Sequence, residues 1–300
     1  MKTTRFLLLI TAFIAAISTT TAQDYTFKVL VNKGNNQLKT ASGWAPLKTG
    51  STLQPTDEIK VAENAYVGLV HNTGKPLEVK KAGPYVVAEL AKTMKPGQSL
   101  AVKYADFVLS ANTEKNNRLS ATGAVHRGGK TIQVALPGAQ DSGKVYGDSL
   151  FLNWNKDAGP YEVMIKNLFG EELKKFAVKD TFLTINLLDA SLAADQKILV
   201  EVYPEKNPER KQDPSYMVSK LTGAEKAKLK EKIVSEVGAV SRRSAMDLLI
   251  LGGFFESNKM LIDAQRAYAE ACRLAPDVAD FKANYADFLI RSGLIKPEAK

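Results

Sequence analysis

Cysteine occurs once in this chain, at Cys272, and histidine twice, at His71 and His126. A single thiol cannot close an internal disulfide, so stability in an oxidising compartment has to come from packed cores. Two histidines far apart in sequence do not form a metal set by spacing, and the lone thiol adds nothing to them. No metal and no cofactor is therefore expected. A phosphate-cradling glycine loop is also missing, since Gly128-Gly129-Lys130-Thr131 lacks the earlier glycine and the apolar strand such a loop needs. Long apolar runs are missing too: a membrane helix needs roughly 20 residues. The best candidate, Phe6 to Ile17, is shorter, follows Lys2 and Arg5, and leads into small residues ending at Ala22. This arrangement predicts a secretory signal peptide over 1–22, cut before Gln23, with no retained membrane anchor. No cysteine stands at the cut, which excludes lipoprotein acylation there.

Positive charge is in excess. The chain has 41 Lys and Arg against 32 Asp and Glu; removing Lys2 and Arg5 leaves 39 against 32, a formal +7. Acids are interspersed among the lysines, as in Glu171-Glu172-Leu173-Lys174-Lys175, so the excess reads as a solvated surface and no nucleic-acid partner is expected. With 45% hydrophobic and 24% charged residues, the composition is that of folded domains.

Period-two alternation marks the first domain. Tyr25, Phe27, Val29 and Val31 fall on one side of an extended segment, and short strands follow near 57–61, 66–70 and 77–79, punctuated by Gly50, Gly74 and Gly83-Pro84. A helix starting at Ser99 places Leu100, Tyr104, Phe107 and Val108 on one face. Residues 23–112 are thus expected to form a small β domain with a trailing helix, and the polar stretch 113–130 a linker. Within it, Gly43, Leu47, Gly50 and Leu53 followed by Asp57 and Ile59 and a Gly74-Lys75 turn resemble the β repeat of FecR-type periplasmic domains. The resemblance spans 43–85 and implies a β fold at the bacterial envelope. The family's regulators carry an inner-membrane anchor that is not seen here, so their role in iron-chelate sensing is not implied.

Alternation resumes in Leu150, Leu152, Trp154; in Tyr161, Val163, Ile165; in Leu183, Ile185, Leu187; and in Ile198, Val200, Val202. Strands at that spacing predict an immunoglobulin-like β-sandwich over 131–204. The proline-rich, charged stretch from Pro204 predicts a linker over 205–221. Thr222-Gly223-Ala224-Glu225 is a capping box, and Leu229, Ile233 and Val237 continue the helix it starts. Residues 222–300 are thus helical, and the whole chain is expected to be multidomain α+β.

Residues 245–278 resemble the tetratricopeptide repeat. Leu248, Leu251, Gly252, Phe255, Ala264, Tyr268, Ala271 and Pro276 stand at its spacing, and Tyr285-Ala286 with Leu289 begin a further helix. The resemblance implies two antiparallel helices in close approach across Gly252 and Ala264, and a short groove with Glu256, Asp287 and Arg291 as partner-facing residues. Cys272 lies near the end of the second helix, where the dipole disfavours a thiolate, and no histidine lies in this region. It reads as packing.

Gly147-Asp148-Ser149-Leu150 spells the signature of GDSL esterases and lipases. No histidine follows His126 to serve as base, so the four residues read as a turn before a strand. The expectation is an exported, non-catalytic scaffold, periplasmic rather than on the cell surface, with protein partners in the envelope and no small-molecule substrate. The alternatives are an envelope hydrolase using Ser149 and a FecR-like signalling or ligand-binding module.

Overall fold

The computed structural model describes residues 25–94, 101–113, 132–138, 143–156, 159–210, 215–238 and 244–295. Strands dominate up to residue 220 and helices gather after it, an α+β arrangement. The expected signal peptide, Ser99 and Leu100, His126 and nearly all of the expected linker 113–130 lie outside these residues.

The N-terminal strands are β1 (Phe27–Lys33), β2 (Gln37–Thr40), β3 (Gly43–Pro46), β4 (Thr52–Leu53), β5 (Glu58–Val61), β6 (Tyr66–His71), β7 (Pro76–Val79) and β8 (Gly83–Val86), followed by helix α1 (Val87–Lys92). They pair into two sheets, in the orders β4-β1-β6-β7 and β3-β2-β5-β8. Alternation supplies the core between them: Phe27, Val29, Val67 and Leu69 meet Ile59 and Val61, with Val87 and Leu90 from α1. Gly74 closes the β6–β7 turn at φ +88°, a conformation that side chains with a Cβ resist.

Strict alternation fails at one informative place. A bulge between Val29 and Val31 shifts the β1–β6 register, and Val31 joins Leu30 on the opposite face from Phe27 and Val29. An inserted residue reverses the facing of the strand residues beyond it. Tyr66 and Val70 of β6 point to that same second face, which is covered by helices. This sheet is therefore buried on both sides.

The middle unit contains β9 (Gly143–Val145), β10 (Ser149–Asn153), β11 (Tyr161–Lys166), β12 (Glu172–Val178), β13 (Phe182–Asn186), a short helix α3 (Ala190–Ala193), β14 (Lys197–Pro204) and β15 (Tyr216–Lys220). The pair β10-β13 faces a sheet ordered β12-β11-β14-β15-β9, in which β9 runs parallel to β15. Leu150, Leu152 and Ile185 pack across onto Val163, Ile165, Val200 and Val202. The stretch expected as linker 205–221 thus ends in a strand of this sheet. Val218 fills the core and Lys197–Val200 pair with Tyr216–Ser219, a short strand that the neighbouring prolines obscure in the sequence.

The helices are α2 (Ala101–Thr113), α4 (Gly223–Glu236), α5 (Ala245–Ser257), α6 (Leu261–Leu274) and α7 (Ala279–Arg291). Thr222 and Glu225 form the capping box of α4. Helix α5 is apolar on every side, and eleven of its 13 residues are buried, which makes it the centre of the layer. Two adjacent glycines let neighbours close on it from different directions. A Cβ at Gly252 would stand 2.7 Å from the Tyr268 ring of α6, and one at Gly253 3.2 Å from Val108 of α2. The helix expected to trail the β domain is thus an integral part of the helical layer, with Tyr104 edge-on to Phe254 at 5.3 Å.

The layer seats on both β units. On the N-terminal unit, Met246 is fully buried over Gly68, where a Cβ would collide with its sulfur. The amide of Met246 donates to Glu78 at 3.1 Å, and the Asn32 amide donates to Asp280 of α7 at 2.8 Å. On the middle unit, Ile262 of α6 enters the core between its strands beside Gly143.

Candidate functional site

The polar centre of the molecule lies where α6 meets the turn between β9 and β10. Asp263, in the first turn of α6 and 1% exposed, accepts the backbone N–H groups of Tyr146 at 2.7 Å and Gly147 at 2.9 Å. A carboxylate is favoured at a helix start by the dipole. Arg266, three residues on, reaches Asp263 at 3.5 Å and donates to the Ser149 hydroxyl at 3.2 Å. Gly147 gives it room: a Cβ there would lie 2.7–3.0 Å from the guanidinium. Lys226 and Lys230, one turn apart on α4, complete a cleft of about 390 Å³, and Lys226 pairs with Asp148 at 2.8 Å.

Ser149 therefore has a cation for a neighbour. A guanidinium stays protonated and cannot take the hydroxyl proton, and the adjacent carboxylate of Asp148 is engaged by Lys226. His71 sits in the β6–β7 turn of the other β unit, bonded to Thr73 at 2.8 Å. Burial first, then Lys75, holds its imidazole below the usual value. Among the described residues no group of three or more His, Cys, Asp and Glu is placed to hold a metal ion, and no helix is long and apolar enough to cross a membrane.

Of the residues expected to face a partner, Glu256 and Asp287 turn inward, while Arg291 stays at the surface. Glu256 is 9% exposed, and Arg291 grips it with two bonds of 2.7 and 2.9 Å, a fork-on-carboxylate geometry. The Tyr268 hydroxyl donates to the same carboxylate at 3.0 Å, and the Arg291 guanidinium lies 5.7 Å from the Phe107 ring centre. Asp287, one turn before Arg291, is 4% exposed and adds its charge to the Arg291 environment. Helical spacing put these side chains on the expected faces. Helix α2 lies against those faces, with Phe107 near Arg291, and fills part of the groove that the spacing implied. Leu251, Gly252, Phe255, Ala264, Tyr268 and Ala271 all lie in the helix-packing core, and Pro276 follows the end of α6.

Cys272 is half-buried against the helical core, and burial pushes its thiol up to about 11, against a smaller pull from Lys282. A thiol at that value is protonated at neutral pH and is a poor nucleophile. The cleft formed by Gly147, Lys226, Lys230 and Arg266 was not legible in the sequence. Lys226 and Lys230 share a face by spacing, but nothing local links that face to a turn some eighty residues earlier.

The middle unit also displays an apolar tip. Between β11 and β12, the Asn167 side chain accepts the amides of Phe169 at 2.9 Å and Glu171 at 3.0 Å and fixes a tight turn. Phe169 projects from it, 91% exposed, beside Leu168 at 52%. Compared with known proteins, the chain matches no protein family and no curated protein.

Proposed function

We propose that the protein is an exported, non-catalytic scaffold of the bacterial cell envelope, acting in the periplasm by docking onto a protein partner. In this reading residues 1–22 direct export, the N-terminal unit is FecR-like, the middle unit is an immunoglobulin-like sandwich, and 245–292 is a tetratricopeptide-like hairpin with a capping helix. The sandwich reading is supported by the pairing of β10 with β13 against β12-β11-β14-β15 and by the parallel β9 edge. The hairpin reading is supported by the seat of the Tyr268 ring over Gly252 beside fully buried Ala264.

The observation that carries the docking role is Phe169. A large apolar side chain held in water by a hydrogen-bonded turn costs solubility and contributes nothing to the chain's own core, whereas such rigid aromatic anchors supply much of the energy of protein interfaces. The non-catalytic reading rests on Ser149 facing Arg266 and on the protonated thiol of Cys272.

A photo-crosslinking residue at Phe169, in the cells that export the protein, is expected to give a discrete protein adduct, and one at exposed Lys60 to give none. Equal labelling at both positions removes the docking tip from the proposal. Turnover of short-chain esters by the purified chain, abolished by Ser149→Ala with the fold intact, overturns the non-catalytic reading.

A further inference from the structure

We propose that the cleft between the β9–β10 turn and helices α4 and α6 binds the phosphate group of a small phosphate monoester. Three cationic side chains from two helices converge there; Asp148 pairs with Lys226 and Asp263 lies 3.5 Å from Arg266, so the cluster keeps a net excess of one positive charge, with Lys230 facing no carboxylate among the described residues. Lys230 makes no ion pair or hydrogen bond among the described residues. Among the described residues Arg266 makes contacts of 3.2 and 3.5 Å, while the two oxygens of Asp263 are taken at closer range by the Tyr146 and Gly147 amides. Its guanidinium thus keeps donors for an incoming oxygen, on a planar fork suited to phosphate. Ser149 accepts from Arg266, which leaves its own O–H to donate to the same ligand.

The guanidinium is held in place by its surroundings. Gly147 lacks the Cβ that would displace it, and Asp263 is buried and anchored to backbone on the opposite side. Like charges gathered in one cleft repel one another, and an anion relieves that repulsion. A phosphate monoester, carrying about −1.5 to −2 at neutral pH, can engage the Lys230 ammonium together with the guanidinium donors of Arg266. The cleft, at about 390 Å³, is several times larger than a bare phosphate and leaves room for the organic group. No step of chemistry is implied, and the site is independent of the docking role of Phe169.

The test is titration of the full-length protein with glycerol phosphate, followed by phosphorus NMR line broadening and calorimetry. Inorganic phosphate, acetate and phosphatidic acid vesicles serve as parallel arms. Saturable binding of the ester, tighter than inorganic phosphate and absent with acetate, is the expected result. Lys230→Gln, at an exposed and unpaired position, is expected to weaken it by about tenfold. Gly147→Ala, which obstructs only the end of a flexible side chain, is expected to weaken it similarly, and Asp148→Asn to tighten it about threefold. No saturable binding, or the same affinity in wild type, Lys230→Gln and Gly147→Ala, overturns the proposal. Retention on phosphatidic acid vesicles without binding of the soluble ester overturns its small-molecule form.

Discussion

Glu78 shows at the level of one residue how the β and helical parts are joined. Burial alone would raise its carboxyl, but the Lys80 ammonium and the Met246 amide overcome that effect and hold it below its ordinary value of 4.5. A carboxylate with a depressed folded value contributes stability that is present above the unfolded value and lost as pH falls through the folded one. The chain is therefore expected to lose stability below about pH 5 partly through Glu78, and Glu78→Gln to show a shallower decline there. Urea midpoints at a series of pH values check this, and parallel curves for both proteins would refute it. Asp280 works in the other direction: burial raises its carboxyl despite the Asn32 amide, so its contribution is fullest in acid and is lost as pH rises through its folded value. Neither role is legible in the sequence. Both acids look like solvated charges until the strand or helix facing them is known.

At the level of elements, the hairpin of α5 and α6 depends on the absence of one methyl group. Alanine is the better helix former by about 1 kcal/mol, yet the contact a Cβ at Gly252 would make with the buried Tyr268 ring, at 2.7 Å, outweighs that gain. Gly252→Ala is expected to destabilise by about 1–3 kcal/mol. Gly223→Ala, in the open first turn of α4, is expected to be neutral or slightly stabilising. Denaturant midpoints of the pair separate sterics from propensity; a stable Gly252→Ala would mean the helices can slide apart. The hairpin was legible because Leu251, Gly252, Ala264 and Tyr268 repeat a helix-packing spacing. The strand β15 was not, because Pro204, Pro208 and Pro214 dominate the local signal, while Tyr216, Met217 and Val218 gain their meaning from the neighbouring strand.

Across the whole molecule, one continuous core runs from β1 and β6 through α2, α4, α5, α6 and α7. The helices of 222–300 share with α2 the cover of the second face of the β1–β6 sheet, so removal of 222–300 would strip part of that cover from Leu30, Val31, Tyr66 and Val70. The N-terminal sheet and α5 are expected to open as one cooperative unit. Native-state hydrogen exchange checks this: amides of Val67–Val70 and of Leu248–Phe254 should share one opening free energy. Earlier opening of the helices with the sheet still protected would show two independent domains.

Nearest-neighbour chemistry settled much by itself. The capping box at Thr222, the alternation of Leu150, Leu152 and Trp154, and the spacing from Leu251 to Phe255 and from Ala264 to Ala271 each depend on residues within about a turn or two of one another. Tertiary structure alone decided that Val31 crosses a bulge to face the helices, and that Glu256 and Arg291 close on each other beside α2. It also brought residues 147–149, 226–230 and 266 to one cleft. Those outcomes turn on which surfaces come together over long separations, where the energy is set by packing and desolvation at the contact.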